Sequence, residues 1–228
     1  MFYITGDRHG DFENEKWNWK GHEGDTLIVL GDAGLNYDGS LNDMIKKDQL
    51  NRTGFITFCI HGNHENRPQN IESYYIEEYC GGKVYVEKDF PNLKFAIDGE
   101  VYKFGEYECL VIGGAYSVDK PIRLEMGWRW FSDEQPSDEI KNTVENKIAD
   151  IEHHIDIVLT HTCPLKYEPR EWFLRGLDQS EVDKSTEKWL GEIEKRLIYK
   201  KWYCGHFHGE KSIDRIRFLY KTIEELSI

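Results

Sequence analysis

Short apolar runs of strand length recur along the chain, each stopped by a turn residue or a polar side chain. Phe2 to Thr5 ends at Gly6-Asp7. Thr26 to Leu30 is a continuous apolar run closed by Gly31-Asp32, and Gly54 to Ile60 ends in His61-Gly62-Asn63-His64. Between these two runs, residues 40–52 predict a helix, with Ser40 as cap and Leu41, Met44 and Ile45 at helical spacing. A short helix and loop are expected around Trp17 and Trp19. Strand, loop, helix and strand at this rhythm predict an α/β core.

Beyond a helix expected at about 67–80, the texture changes. Lys83 to Glu87, Leu93 to Ile97, Glu100 to Phe104 and Tyr107 to Ile112 are short β-prone segments between Gly, Pro and Asp turns. They predict an antiparallel meander laid against the first sheet. Gly113-Gly114 then opens a long irregular segment, 115–136. A helix from about Ser137 to His153 leads into strand Ile155 to Thr160 and His161. A second amphipathic helix, near Gln179 to Ile198, leads into Lys201 to Cys204 and Gly205-His206-Phe207-His208. Ile213 to Ile223 reads as further strand. With no repeat or linker in the pattern, residues 1–228 are expected to form one domain.

Composition narrows the picture. The 228 residues carry 29 Lys plus Arg against 42 Asp plus Glu, a net charge of −13, which disfavours extended nucleic-acid binding. The five cysteines (Cys59, Cys80, Cys109, Cys163, Cys204) form no C-x-x-C pair and suit a reducing compartment. The start, MFYITGDRHGDF, lacks the basic flank and apolar stretch of a signal peptide. No run approaches the roughly 20 apolar residues of a membrane span. A cytoplasmic location without membrane partners is expected.

Five motifs each follow directly on an expected strand: Gly6-Asp7-Arg8-His9, Gly31-Asp32, Gly62-Asn63-His64-Glu65, Thr160-His161 and Gly205-His206-Phe207-His208. In open α/β sheets ligands bind beyond the carboxyl ends of the strands, so segments far apart in sequence can converge on one site. The side chains delivered are carboxylates, imidazoles and one carboxamide, a mixed N/O set suited to Mn, Fe, Zn or Ni. In an extended segment residues i and i+2 point the same way, so Asp7 with His9, and His206 with His208, are expected to face one centre. Singly, each piece has an ordinary reading: a Gly-Asp after a strand is usually a turn, and H-x-H is often a surface pair. Together they take five of the nine histidines (His9, His64, His161, His206 and His208). The joint pattern points to metal.

From Gly6 to His208 these motifs resemble those of the calcineurin-like metallophosphoesterases. The resemblance implies an α/β fold, a four-layer α/β/β/α sandwich of two packed mixed sheets flanked by helices. It also implies two divalent ions, manganese first, with Fe, Zn, Ni or Mg as alternatives. By the same resemblance Asp7, His9 and His208 bind one ion, Asn63, His161 and His206 the other, and Asp32 bridges them. His64 contacts the phosphate and protonates the leaving group, so Asp32 and His64 are the catalytic pair. The activity implied is hydrolysis of a phosphate monoester by a metal-activated water, the substrate being a small molecule, nucleotide or phosphoprotein. A phosphodiesterase using the same centre is the alternative, and a non-catalytic scaffold the third reading.

The chain departs from the family's protein phosphatases in two places. After Asp32 it reads Ala33-Gly34-Leu35-Asn36, without the Asp that orients the catalytic histidine. The residue before Gly62 is His61 in place of a phosphate-binding Arg, and Arg67 is the candidate replacement. Arg8, inside the first motif, is a second candidate phosphate contact. Segment 115–136 combines Arg123 and Arg129 with Trp128, Trp130 and Phe131. One reading makes it a lid that anchors phosphate and stacks on a ring; the other makes it a loop pinned by its aromatics.

Overall fold

Strands that are apolar on both sides belong where both faces are covered, and the structure puts them there. The computed structural model describes residues 1–12, 20–173, 176 and 178–228. In chain order the strands are β1 (Phe2–Thr5), β2 (Thr26–Val29), β3 (Ile56–Cys59), β4 (Tyr74–Tyr79), β5 (Gly82–Glu87), β6 (Leu93–Ala96), β7 (Val101–Phe104), β8 (Tyr107–Ile112), β9 (Ile157–Thr160), β10 (Lys201–Cys204), β11 (Lys211–Ile213), β12 (Ile216–Phe218) and β13 (Glu224–Glu225). The helices are α1 (Leu41–Asn51), α2 (Lys120–Met126), α3 (Asp138–Asp150) and α4 (Ser185–Arg196). One sheet runs β13-β1-β2-β3-β6-β5-β4 and the other β11-β12-β10-β9-β8-β7. Each has a parallel centre, β1-β2-β3-β6 in the first and β12-β10-β9-β8 in the second.

Alternation along each strand divides the core into layers. Ile4, Ile28, Leu30, Phe58 and Ile60 of the first sheet meet Cys109, Val111, Ile157, Leu159 and Tyr203 of the second. Their neighbours turn outward. Leu27, Val29 and Cys59 pack with Leu50 of α1. Leu110, Ile112, Val158, Trp202 and Cys204 pack with Val144 and Ile148 of α3 and Leu190 and Ile193 of α4. The expected α/β/β/α sandwich is what forms. Truncating one of these fully buried side chains to alanine costs about 2–5 kcal/mol.

Five expectations are corrected. Residues 67–80 hold a short 3-10 turn (Pro68–Asn70) and then β4, which pairs with β5 from Tyr74↔Glu87 to Tyr79↔Gly82. The hairpin loop Cys80-Gly81 has φ of 50° and 82° at its two residues, the left-handed pair that a two-residue turn requires. The meander does not stay together: β4, β5 and β6 extend the first sheet, while β7 and β8 join the second. In α1, capped by Ser40 as expected, Leu41, Met44 and Ile45 are exposed. The buried stripe is Asp43, Lys47 and Leu50, held by Asp43 accepting from the Asn36 and Gly39 N–H groups and by a Lys47–Glu87 ion pair. Finally, segment 115–136 contains α2, and the single strand expected over 213–223 is broken at Asp214 (φ 53°) and again after Phe218. The Trp17 and Trp19 expectation lies outside the described residues.

Candidate metal centre

Because both sheets are parallel at their centres, the carboxyl ends of β1, β2, β3, β9 and β10 open on one side, and the face-to-face packing brings them together. Potential ligand atoms of Asp7, Asp32 and His161 all lie within 4.8 Å of one another. Asn63 Oδ1 is 2.8 Å from His161 Nε2 and 3.1 Å from His206 Nδ1. His9 Nε2 is 3.0 Å from His208 Nε2. The His64 amide donates to Asp32 Oδ1 at 2.9 Å, and its ring Nε2 is 4.0 Å from Asp32 Oδ2. All seven expected donor residues and His64 are thus gathered in one place.

The route by which they get there is not the extended one. His9, Asp32, His206 and His208 have φ of 49°, 47°, 67° and 49°. Non-glycine residues rarely adopt this left-handed region, and each pays about 1–2 kcal/mol for it. The alternation argument therefore fails for H-x-H. His206 turns to Asn63 and His161, while His208 turns to His9 and stacks on Tyr220 at 4.7 Å. Two glycines make the room. A Cβ at Gly31 would lie 2.1 Å from His161 Nδ1, and one at Gly62 would lie 2.0 Å from Asp32 Oδ1.

Hydrogen bonding fixes which lone pairs face inward. His161 Nδ1 lies 2.7 Å from the Leu30 carbonyl, which can only accept, so Nδ1 carries the proton and Nε2 offers its lone pair. The Asn63 amide donates to Ser117 Oγ at 2.9 Å, which turns its Oδ1 toward that same Nε2. An acceptor oxygen and an unprotonated nitrogen 2.8 Å apart repel each other unless a cation lies against both. Charge tells the same story. Asp7 and Asp32 are each 2% exposed, and among the described residues no Lys or Arg forms a salt bridge with either, Arg8 acting on Asp7 only at longer range. Burial pushes the Asp7 carboxyl well above its ordinary range, with Asp32 beside it adding to the effect. Burial also holds His161 and His206 below the usual imidazole value and takes His208 down to about 4. Neutral imidazoles and uncompensated buried carboxylates are the donor set a divalent cation needs, so the residues fit a metal.

The outer candidates divide. Arg123 Nη2 comes within 3.3 Å of His64 Nε2, and Arg123 pairs with Asp119 at 2.8 Å. Trp128 lines the same cleft, which also holds Lys46, His9 and His208. Arg129 is exposed and reaches only toward the Asp38 carbonyl, at 3.5 Å. Arg67 is not brought to the site: it is buried against Asp98 at 2.7 Å and lines a different cavity with His61. Arg8 is also turned away, its guanidinium donating to the Asp11 and Lys221 carbonyls. In the segment around them, Trp130 donates to Glu134 and Phe131 packs on Tyr37, so these two pin the chain while Trp128 stays exposed. Cys163 and Cys204 are buried in the outer core of the second sheet, and the His22 backbone N–H donates to the Asp25 carboxylate, which caps the turn.

Sequence reasoning missed Ser117. The signal was present: Gly113-Gly114-Ala115-Tyr116-Ser117 follows β8, a further parallel strand of the second sheet, just as the other motifs follow theirs. It also missed Glu65, whose buried carboxylate accepts from the Gly62 N–H at 2.7 Å and so holds the turn that presents Asn63.

Parallel strand ends, a buried carboxylate pair and convergent imidazoles make a candidate metal centre, and the family the chain matches gives that centre its chemistry, metal-dependent phosphoester hydrolysis. Residues 1–210 of the 228 match the calcineurin-like phosphoesterase family, and the chain belongs to that family. No curated protein matches the chain. Among the described residues, no helix is long and apolar enough to cross a membrane.

Proposed function

We propose that the chain hydrolyses phosphate monoesters at a dinuclear centre, as a single domain acting in the cytoplasm. Asp7, His9 and His208 hold one divalent ion; Asn63, His161 and His206 hold the other; Asp32 serves both. The observation that carries this is the convergence of two separate donor sets, His9 with His208 at 3.0 Å and Asn63 with His161 and His206 at 2.8 and 3.1 Å. Neighbouring ligands on an ion with bonds of about 2.1 Å are roughly 3 Å apart. Asp32 Oδ2 lies 3.8 Å from His161 Nε2 and 4.0 Å from His64 Nε2, with His9 of the other set also within electrostatic reach of its carboxyl. Manganese is the first candidate, on the mixed N/O donor set. Five free thiols support the reducing compartment.

Bound divalent ions supply Lewis acidity and a nucleophilic water. The protein's own residues do the rest. Ser117 and Leu30 lock the Asn63 and His161 side chains, so the donors are positioned before substrate arrives. His64, half-buried at the rim, gives its proton to the leaving oxygen. Burial lowers its pKa and Asp32 raises it; a phosphate dianion placed against the ring raises it further, toward the protonated form the step requires. Arg123, beside His64, takes the phosphoryl oxygens that face away from Asp32, which favours a dianionic monoester.

The test is kcat/KM for para-nitrophenyl phosphate and its bis ester, with Mn²⁺ and after chelation, alongside metal content. A monoester preference that disappears on chelation is expected. A diester preference would move the reading to phosphodiesterase, and metal bound without turnover would leave a scaffold.

A further inference from the structure

Two clefts flank the donor cluster, and they differ in chemistry. One, of about 450 Å³, holds Lys46 and Arg123 with Ser40 and Asn42. The other, of about 270 Å³, shares Asp32, Asn63, His64, His206 and His208 with the cluster and runs out between Tyr116, Val118, Trp172, Phe173, Val182 and Phe207. A phosphorus atom at the cluster sends its ester substituent into one of these two spaces.

The second cleft has a preformed aromatic wall. Phe207 packs edge-on against His206 at 5.0 Å and lies near-parallel to Phe173 at 6.3 Å, and Trp172 packs edge-on against Phe218 at 5.9 Å. Its carboxylates, among them Glu168, Asp183 and Glu187, are acceptors, beside the Tyr116 hydroxyl and the Gln179 amide, which can also donate. Its one Lys, Lys184, is tied to Glu168 at 2.9 Å, so among the described residues the cleft offers no cation to an anionic group. Glu187, on α4, is 5% exposed; Oε1 accepts from Thr162 Oγ1 at 2.8 Å, and Oε2 has no partner. Burial pushes its carboxyl up to about 7, so near neutral pH a donor from a ligand competes with a proton for it.

The geometry points to a substrate whose alcohol carries a planar, uncharged heteroaromatic ring with an N–H donor, in the class of nucleoside phosphates with an amino-bearing base. The ring stacks on Phe173 and Phe207, its donor is accepted by Glu187, and any further phosphate lies on the Lys46 and Arg123 side. This rests on the phosphoesterase reading above. It adds the substrate class.

Adenosine 5′-monophosphate and glycerol 3-phosphate are compared on the metal-loaded protein, and adenosine alone is titrated calorimetrically. Stacking of a base on aromatic side chains predicts a kcat/KM for the nucleotide about tenfold or more above glycerol 3-phosphate. Phe173→Ala is expected to bring the two within about twofold, because the stacking face is gone. Adenosine is expected to bind about tenfold more tightly than purine riboside, which lacks the amine, and Glu187→Gln to erase that difference. Equal rates on the two esters, or no adenosine binding at millimolar concentration, overturns the assignment even if glycerol 3-phosphate is hydrolysed. Adenosine binding by a protein that hydrolyses neither ester would instead sink the phosphatase reading and leave the cleft assignment standing.

Discussion

The buried part of the donor cluster and its rim are built differently. Asp7, Asp32, Asn63 and His161 are at most 2% exposed and sit directly at strand ends, with His161 tied to the Leu30 carbonyl and Asn63 to Ser117. His9 and His208 are the most solvent-accessible of the donors, only partly covered, and are steadied by each other and by Tyr220. The buried set is held by the same hydrogen bonds and packing that hold the sheets, so it changes little when a metal arrives. The rim pair has little beyond each other and Tyr220 to hold it. One ion is therefore expected to be tight and the other exchangeable.

The comparison can be broken first at Asp32, which the proposed arrangement assigns to both ions. Asp32→Ala is expected to lower kcat/KM on the order of 10³-fold and to strip both metals, read by steady-state kinetics and elemental analysis. Substantial turnover in that variant would end the two-ion reading. His64→Ala is expected to cost about 10²-fold on an alkyl phosphate, and much less on para-nitrophenyl phosphate, whose leaving group needs no proton. Its metal content should stay intact, and equal losses on both substrates would remove His64 from the acid role.

His208→Ala against His161→Ala tests buried set against rim directly. After gel filtration the first should keep one ion per chain and the second should lose the tight one; the reverse order would invert the comparison. Arg123→Ala is expected to raise KM about tenfold with metals retained, the scale of a lost charge-assisted hydrogen bond. Trp128→Ala should have a smaller effect, and unchanged kinetics in both would reject the lid.

A buried carboxyl that is not one of the donors sharpens the contrast. Glu187 titrates at about 7 in the folded chain, above the ordinary Glu value. Between that value and 7 the folded state binds more protons than the unfolded one, so stability falls as pH rises through this window. The loss totals on the order of 3 kcal/mol. Glu187→Gln should flatten the decline in Tm between pH 5 and 8; an unchanged profile would assign the decline elsewhere.

Much of the fold was readable because each central strand is a short apolar run with a polar stop. Val29-Leu30-Gly31-Asp32 shows both the strand and the place where its chemistry begins. The hairpin at Cys80-Gly81 was hidden, since a left-handed cysteine has no local signature and Tyr74-Tyr75-Ile76 suits a helix as well as a strand. The exposed Leu41, Met44 and Ile45 misled for another reason: α1 docks through the hydrogen bonds of Asp43 and the ion pair of Lys47, which periodicity cannot register.

Residue identity by itself determined which side chains are able to bind a metal and, through the motif set, the family to which the chain belongs. Only the tertiary structure decided how the donors reach each other, because left-handed backbone at His206 and His208 turns a neighbouring pair toward the separate partners that the family resemblance implied. It also decided the fate of the cations. Arg67 and Arg123 look alike in sequence, yet Asp98 buries one while α2 carries the other to His64. A charge is drawn to whichever partner the packed chain leaves within reach, and that distance does not exist until the sheets have closed.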